Sequence, residues 1–210
     1  MKELYFKYIN EIKSKKIIFI SVVLLLVLGL LFGSLYITII SNEDKKYISD
    51  SVYNYFNSFN IISFSDKLKI FKESLISNIT YICLIWLLGI SIIGLPVIYI
   101  MTFFKSFVVG FSIASIFAKY KLSGLLGILV YIFPNRLIIL VLGLFLAIYS
   151  VNISISLANS AFKKKTVNFA SFMGKYVFLL LVCILICIIC SIFEAFISPY
   201  LYKLIINLLK

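Results

Sequence analysis

The sequence predicts an all-α protein, a polytopic integral membrane bundle of about five transmembrane segments with a broken or re-entrant region around residues 105–136. Three observations predict this class. The 210 residues are 63% hydrophobic and 13% charged, which is about half the charge of a soluble domain. The mean hydropathy is +1.13, and uncharged apolar runs recur along the whole chain. Because these runs leave no room for a separate soluble domain, we expect a single integral membrane domain over residues 1–210.

The first transmembrane helix is predicted at Ile17–Ile40, after a lysine-rich start at Met1–Lys16. The run is longer than the about 7–15 apolar residues of a cleavable signal, and no small-residue cleavage site closes it, so we expect it to be retained. Gly29 and Gly33 form a GxxxG pair, a spacing that allows helices to approach closely. The pair serves either packing within this bundle or contact with a second copy in a homodimer.

Residues 41–73 form a hydrophilic segment in which lysines are balanced by acidic residues. Apolar side chains recur in it at helical spacing: they are Ile48, Val52, Tyr55, Phe59 and Ile62. We therefore predict an outward amphipathic helix that lies on the membrane or offers a candidate partner surface, with packing on its own bundle as the alternative. A second short helix is expected over Asp66–Ser74.

The second transmembrane helix is predicted from about Leu75 to Met101. Within this stretch Gly94-Leu95-Pro96 should kink or end the regular helix, because proline removes a backbone donor and crowds the preceding turn. Lys105 follows as a single charge and is interpreted as an interfacial turn.

Two layouts remain open for the middle of the chain. The apolar run Phe107–Ala118 is short for a full crossing, whereas the run that begins at Gly124 is too long for one straight crossing. Either Phe107–Ala118 and Gly124–Ser150 each cross the membrane, or Phe107–Phe133 enters and leaves it as a hairpin.

The last transmembrane helix is predicted at Tyr176–Phe196, with Glu194 near the interface. A short interfacial C-terminal helix is expected over residues 199–210, because one apolar stripe continues at helical spacing: it consists of Leu201, Leu204, Ile205 and Leu208.

Five crossings with a cytoplasmic N-terminus would place residues 41–73 and the C-terminus outside the cell. Ten lysines then lie inside and nine outside, which is a poor positive-inside signal. The acid-free cluster Lys163–Lys165 and the lysines before the first helix decide the orientation. We therefore predict a multi-pass protein of the cell membrane with its N-terminus in the cytoplasm.

The residue inventory argues against an enzyme. The chain has no histidine, which removes most acid–base, nucleophilic and zinc chemistry. Cys183, Cys187 and Cys190 share one helical face, a spacing compatible with a metal site, but buried thiols in such a helix are usually packing residues. We predict no catalytic residues, no cofactor and no metal. The formal charge of +12 comes from lysines at the ends of apolar runs, which favours contact with membrane lipids and argues against nucleic-acid binding.

Pro134, Asn135 and Arg136 interrupt a long apolar run. A helix breaker beside an amide and a guanidinium is tolerated in a membrane only where the bundle interior or water satisfies these groups. Asn135 is expected to cap the helix that follows Pro134. Arg136 either anchors the structure, binds a lipid phosphate, lines a cavity, pairs across a subunit interface or snorkels to the surface.

The same stretch resembles a known family. Phe104–Phe111 (FKSFVVGF, with Gly110), the restart at Gly124 and Phe133–Ile139 (FPNRLII) resemble the stage II sporulation protein M family. The overall plan is also similar: a lysine-rich start, one helix, an outward amphipathic loop and four further apolar segments. By this resemblance Gly110, Pro134, Asn135 and Arg136 form the candidate structural or functional motif.

The resemblance implies a multi-pass protein of the mother-cell or septal membrane in endospore-forming bacteria that is required for engulfment. Such a protein recruits or anchors two peptidoglycan-degrading proteins, stage II sporulation proteins P and D, and does no chemistry itself. A membrane scaffold is therefore the first hypothesis. The second is a small permease-like or channel-like bundle, possibly dimeric, because transporters place substrate sites at broken helices.

Overall fold

The computed structural model describes residues 2–59, 63–163 and 169–209, and within these ranges it contains helices and turns but no strand. The α-helices in these ranges are α1 (Lys2–Ile39), α2 (Asn42–Ser58), α3 (Phe64–Gly89), α4 (Gly94–Tyr120), α5 (Leu125–Tyr131), α6 (Leu137–Lys163), α7 (Phe169–Phe196) and α8 (Ser198–Leu209). A 3-10 turn, Lys121–Gly124, precedes α5, and a π-helical turn, Ile132–Arg136, joins α5 to α6.

The predicted fold class is confirmed. Five stretches of the described residues are long and apolar enough to cross a membrane: Lys16–Ile39, Phe64–Gly89, Gly94–Tyr131, Leu137–Ala158 and Met173–Leu204. The number of crossings therefore agrees with the sequence, although several boundaries differ.

The largest difference lies between α3 and α4. The helix was expected to run from about Leu75 to Met101 with a kink or an end at Gly94-Leu95-Pro96. A break is present, but its place was wrong, because the chain turns at residues 90–93 and Pro96 falls in the first turn of α4. Proline is well tolerated there, since the first N–H groups of a helix have no intrahelical partner. The separate helix at Asp66–Ser74 is also wrong. Ser63 and Asp66 form a reciprocal capping box, which starts α3 at Phe64.

The structure favours the layout in which both middle segments cross. α4 is one continuous helix of 27 residues, about 40 Å long, and needs no re-entrant partner to span the bilayer. It ends at Lys121, whose φ of 50° leaves the helical region. From Leu125 the chain runs through α5, the π turn and α6 as one interrupted helical path. The broken region is thus a π turn that lies between the third apolar stretch, which ends at Tyr131, and the fourth, which begins at Leu137.

α1 and α4 pack tightly through glycines. A Cβ on Gly33 would overlap the backbone carbonyl of Phe107, and one on Gly110 would overlap the carbonyl of Leu30. Gly29 likewise faces Ser106, where a Cβ would lie 2.6 Å from the Phe103 carbonyl oxygen. Of the two uses left open for the GxxxG pair, the structure shows packing within the chain.

The main core lies among α3, α4, α6 and α7. Tyr176 is fully buried there, and its hydroxyl hydrogen-bonds Ser150 (2.7 Å) and donates to the Trp86 carbonyl (2.8 Å). The three cysteines of α7 are buried thiols in the same cluster. A second, aromatic cluster gathers at the other end of the bundle: its buried members are Phe56, Phe59, Ile116, Ile128 and Tyr202.

The amphipathic stripe of α2 is used largely within the protein. Phe59 is buried against Tyr202, with ring centroids 4.6 Å apart, and Val52 packs on the same cluster. Ile48 is half-buried and Tyr55 is 37% exposed, while Ile62 lies outside the described residues. Of the expectations for this stripe, packing on its own bundle is the one that the structure shows.

The C-terminal helix starts at Ser198, close to its expected position. Tyr202, off the predicted stripe, is buried against the bundle, whereas Leu204 on the stripe is 62% exposed. The stripe therefore does not pack on the bundle at Leu204, and its contact with the membrane interface stays a prediction. The side chains beyond Leu204 lie outside the described part of the chain.

Candidate functional site

The π turn carries the most polar part of the bundle interior. Because Pro134 has no N–H to donate, the regular ladder of helical hydrogen bonds is interrupted, and one wider turn absorbs the change. Asn135 does not cap a new helix as expected, since α6 continues directly from the turn. Its side chain is buried instead, with 7% exposure, and bonds to neighbouring helices.

Asn135 belongs to a hydrogen-bonded cluster that joins three crossings. Its Oδ1 accepts from Asn78 Nδ2 of α3 (3.2 Å), and its Nδ2 donates to Ser74 Oγ (3.3 Å). The same Nδ2 donates to the carboxylate of Glu194 on α7, which also accepts from Ser74 Oγ (2.5 Å). Ser191, fully buried, completes the cluster through Ser74 Oγ (3.2 Å). The carboxylate is therefore held by two donors.

Two cations lie beside this cluster. Lys105, in the middle of α4, has its Nζ 4.9 Å from the ring centroid of Tyr81. The guanidinium of Arg136 lies over the ring of Tyr131 at 3.9 Å, a cation–π contact that fixes its plane. Its Nε is buried and has no hydrogen-bond partner among the described residues. The π turn thus points an incompletely satisfied guanidinium into the bundle.

An aromatic layer from α2 and α8 lies beside the cations. Tyr55 meets Tyr131 and Tyr202 edge to face, each at 6.0 Å between ring centroids. Burial raises the pKa of Tyr55 to about 12, although the nearby Arg136 opposes this shift. At neutral pH its hydroxyl is therefore protonated and able to donate a hydrogen bond.

These groups surround one cavity of about 270 Å³. Its wall combines polar and charged side chains with rings and apolar surface. The polar and charged residues are Glu73, Ser74, Ser77, Asn78, Lys105, Asn135, Arg136 and Glu194. The aromatic and apolar residues are Tyr55, Phe59, Ile70, Val108, Val109, Ile139 and Tyr202. π turns within helices frequently occur at functional sites. Ionisable side chains that face the interior of a membrane bundle are also usually functional. We therefore take it as the candidate functional site.

A comparison with family models matches residues 22–199 to the family described as stage II sporulation protein M. The match covers most of the chain. This chain belongs to the stage II sporulation protein M family. Comparisons with curated proteins and with solved structures gave no match. The family assignment and the five apolar crossings together make it a multi-pass membrane protein of a sporulation family.

The family match includes every residue of the cavity wall except Tyr202. Of the four motif residues, Asn135 and Arg136 line the cavity. Pro134 lies in the π turn, while Gly110 serves the contact between α1 and α4 and is not part of the site.

Sequence reasoning misplaced one charged residue of the site and did not predict the contacts of another. Lys105 is no interfacial turn, because it lies inside α4 and faces the cavity. Glu194 lies near the end of α7 as expected, yet it points inward and bonds to α3 and the π turn. Ser74, Asn78 and Tyr202 were not identified at all. The available signal was a polar side chain beside or within an apolar run. This signal marks a residue as unusual for a membrane helix, but it does not identify the residues that it contacts.

The chemistry of this site suits binding. Among the described residues, no three His, Cys, Asp or Glu side chains come together as metal ligands. The cavity offers amide, hydroxyl and cationic donors and two carboxylates, of which Glu194 is already hydrogen-bonded and Glu73 is exposed. Such a set recognises a negatively charged group.

Proposed function

We propose that this protein is a non-enzymatic membrane scaffold of endospore formation. In this role it recruits or anchors septal peptidoglycan hydrolases, stage II sporulation proteins P and D, during engulfment. Family membership is the observation that carries the proposal. The cell membrane, at the septum of the mother cell, is the proposed location, with the N-terminus in the cytoplasm and the C-terminus outside.

α2 is the part of the chain best suited to meet such partners. Its apolar face is held by the aromatic cluster, so the helix has a fixed position over the bundle. Its other face exposes Tyr47 (76%) and Tyr53 (51%) among polar residues. Exposed tyrosines on a rigid helix give large contact area at little cost in side-chain entropy. The proposed partner surface is therefore this face, and the predicted stripe contributes only through the exposed edge of Tyr55.

The test is recovery of partners from sporulating cells. The tagged full-length protein is extracted in mild detergent, and co-purified peptidoglycan hydrolases are identified by mass spectrometry. The double variant Tyr47→Ser, Tyr53→Ser should lose these partners, whereas Leu68→Ser, which changes a side chain on α3 that is 47% exposed, should retain them. Equal recovery from both would reject this surface, and absence of hydrolases from the unsubstituted protein would reject the scaffold. Phe59 is unsuitable for this test because its burial makes any substitution a test of folding.

The cavity is the observation that favours a second candidate, a permease-like or channel-like bundle. A charged, partly open cavity within the crossings resembles a substrate site, and a homodimer would enclose a longer path. Flux of radiolabelled phosphate into proteoliposomes is the assay. Transport that is lost in Arg136→Ala and kept in Lys119→Gln would support this candidate, and impermeable proteoliposomes would reject it.

A further inference from the structure

The charged residues of α3 indicate how deep the cavity lies in the membrane. Charged residues occur from Asp66 to Glu73 and then stop, so Glu73 marks the boundary of the apolar part of the helix. Asn78, at the inner end of the cavity wall on α3, lies five residues further, about 8 Å deeper at the rise of an α-helix. The cavity thus begins at the depth of lipid head groups and extends inward.

The cavity also opens sideways. Ser77 of α3 and Val108 of α4 line it and are both exposed, Val108 to 51%. Both residues lie in apolar crossings, so the gap between α3 and α4 faces the lipid. A molecule with a polar head and an apolar tail could place its head inside while its tail stays outside.

Among the partly buried charges of the cavity wall, the balance is positive. Lys105 and Arg136 contribute two cations, whereas Glu194 contributes one carboxylate that is bound by Ser74 and Asn135. Glu73 also lines the cavity, but its side chain is exposed. Neither cation forms an ion pair among the described residues. They lie against the rings of Tyr81 and Tyr131. The Nε of Arg136 is buried without a hydrogen-bond partner among the described residues, which is unfavourable unless an acceptor pairs with it.

We infer that this cavity binds a phosphate group, supplied either by the head group of an anionic phospholipid or by free inorganic phosphate. A phosphodiester carries one negative charge, which balances the net charge of the partly buried groups Lys105, Arg136 and Glu194, whereas the exposed Glu73 is screened by solvent. A planar guanidinium binds phosphate oxygens through paired N–H donors, and lysine adds a point charge. The volume of about 270 Å³ is slightly below the ~300–1,000 Å³ of pockets for drug-sized ligands, so it suits a head group without its acyl chains.

The protonated hydroxyl of Tyr55 is a further donor toward this phosphate. Tyr131 orients the guanidinium and does not touch the ligand, because it is not part of the cavity wall. This inference does not depend on the scaffold role: the phosphate site can exist whether or not hydrolases bind to α2.

The test uses purified full-length protein and two probes. In the first arm, delipidated protein in an uncharged detergent is titrated with radiolabelled inorganic phosphate by equilibrium dialysis. In the second arm, the protein is placed in nanodiscs of phosphatidylcholine, with or without phosphatidylglycerol, and retained phosphatidylglycerol is counted by native mass spectrometry. Binding in the first arm identifies free phosphate as a ligand, and retention only in the second identifies the lipid.

Arg136→Gln should lower the affinity for the probe about tenfold or more, since a hydrogen bond to a charged group contributes ~1.5–3 kcal/mol. Lys105→Gln should weaken it in the same direction. Lys119→Gln is the matched control, because Lys119 lies on the same helix and also rests on a tyrosine ring, at 5.5 Å from Tyr53, but outside the cavity. Equal affinity in all three variants would overturn the inference.

A measurement on the unsubstituted protein keeps the inference testable even if a variant fails to fold. A ligand that binds the native state and not the unfolded chain must raise its melting temperature, and well above the Kd the rise grows with the logarithm of the ligand concentration. Phosphate or phosphatidylglycerol should therefore raise the melting temperature of the natural protein. If neither probe binds and neither raises the melting temperature, the phosphate site is rejected, while the scaffold proposal is untouched.

Discussion

Replacing Asn135, in the π turn, by alanine should destabilise the bundle more than any single amide substitution in α6. The amide makes three side-chain hydrogen bonds to other crossings, two to neutral groups and one to the Glu194 carboxylate. Interhelical hydrogen bonds in membranes contribute about 0.6 kcal/mol on average, and a bond to a charged group ~1.5–3 kcal/mol. The expected loss for Asn135→Ala is thus about 3–4 kcal/mol.

Asn152→Ala is the control, because the Asn152 amide lies in α6, which continues from the π turn, and donates to the carbonyl of Ile148 in its own helix (2.8 Å). The assay is denaturant unfolding in detergent, followed by circular dichroism, with Asn78→Ala and the double variant Asn78→Ala, Asn135→Ala completing a double-mutant cycle. We expect a coupling energy of about 0.5–2 kcal/mol between the two amides. Equal destabilisation by Asn135→Ala and Asn152→Ala, with no coupling to Asn78, would refute the cluster as a source of stability.

Three further predictions test the packing and the aromatic layer. Gly110→Leu should prevent close packing of α1 on α4 and abolish a cooperative melt, whereas Gly174→Ala, with no atom within 4 Å of the added Cβ, should have almost no effect. Tyr176→Phe should lower the unfolding free energy by about 1–3 kcal/mol, because a buried carbonyl and hydroxyl lose their partner; the fluorescence of Trp86, the single tryptophan, reports the melt. The folded protein holds the pKa of Tyr55 at about 12, against an ordinary 10.0, so the free energy of unfolding should fall as the pH rises from 10 toward 12. Tyr55→Phe should reduce that fall. An unchanged pH profile in this variant would contradict the burial of the hydroxyl.

The crossings could be predicted from sequence because hydrophobicity is a local property. The run Ile17–Ile40 differs by one residue at each end from the crossing that the structure shows. The turn between α3 and α4 was misplaced because proline marks the start of a helix as well as its end. Pro96 was interpreted as a break, although it stands where its missing N–H is harmless.

The candidate site could be predicted only in part, because its members are distant in the chain. Asn135 stood out as an amide in an apolar run, which is a local signal. Ser74 and Glu194, which bond to each other, are separated by 120 positions, and no spacing in the sequence joins them. Lys105 was assigned to an interface because an isolated lysine beside apolar residues usually marks one. Only the packing of α4 against α3 and the π turn shows that it faces inward.

Tyr55 connects the outward helix to the cavity, and this contact has a thermodynamic consequence. The residue lies on α2, lines the cavity and packs on Tyr131, which in turn positions Arg136. A phosphate bound at Arg136 would therefore favour the docked position of α2, since that position completes the cavity wall. By linkage, a partner that requires docked α2 must bind more tightly when the cavity is occupied, and by the same factor it must tighten phosphate binding. The two proposals thus predict a reciprocal effect: anionic lipid would promote hydrolase recruitment through the order of α2, without touching the hydrolase.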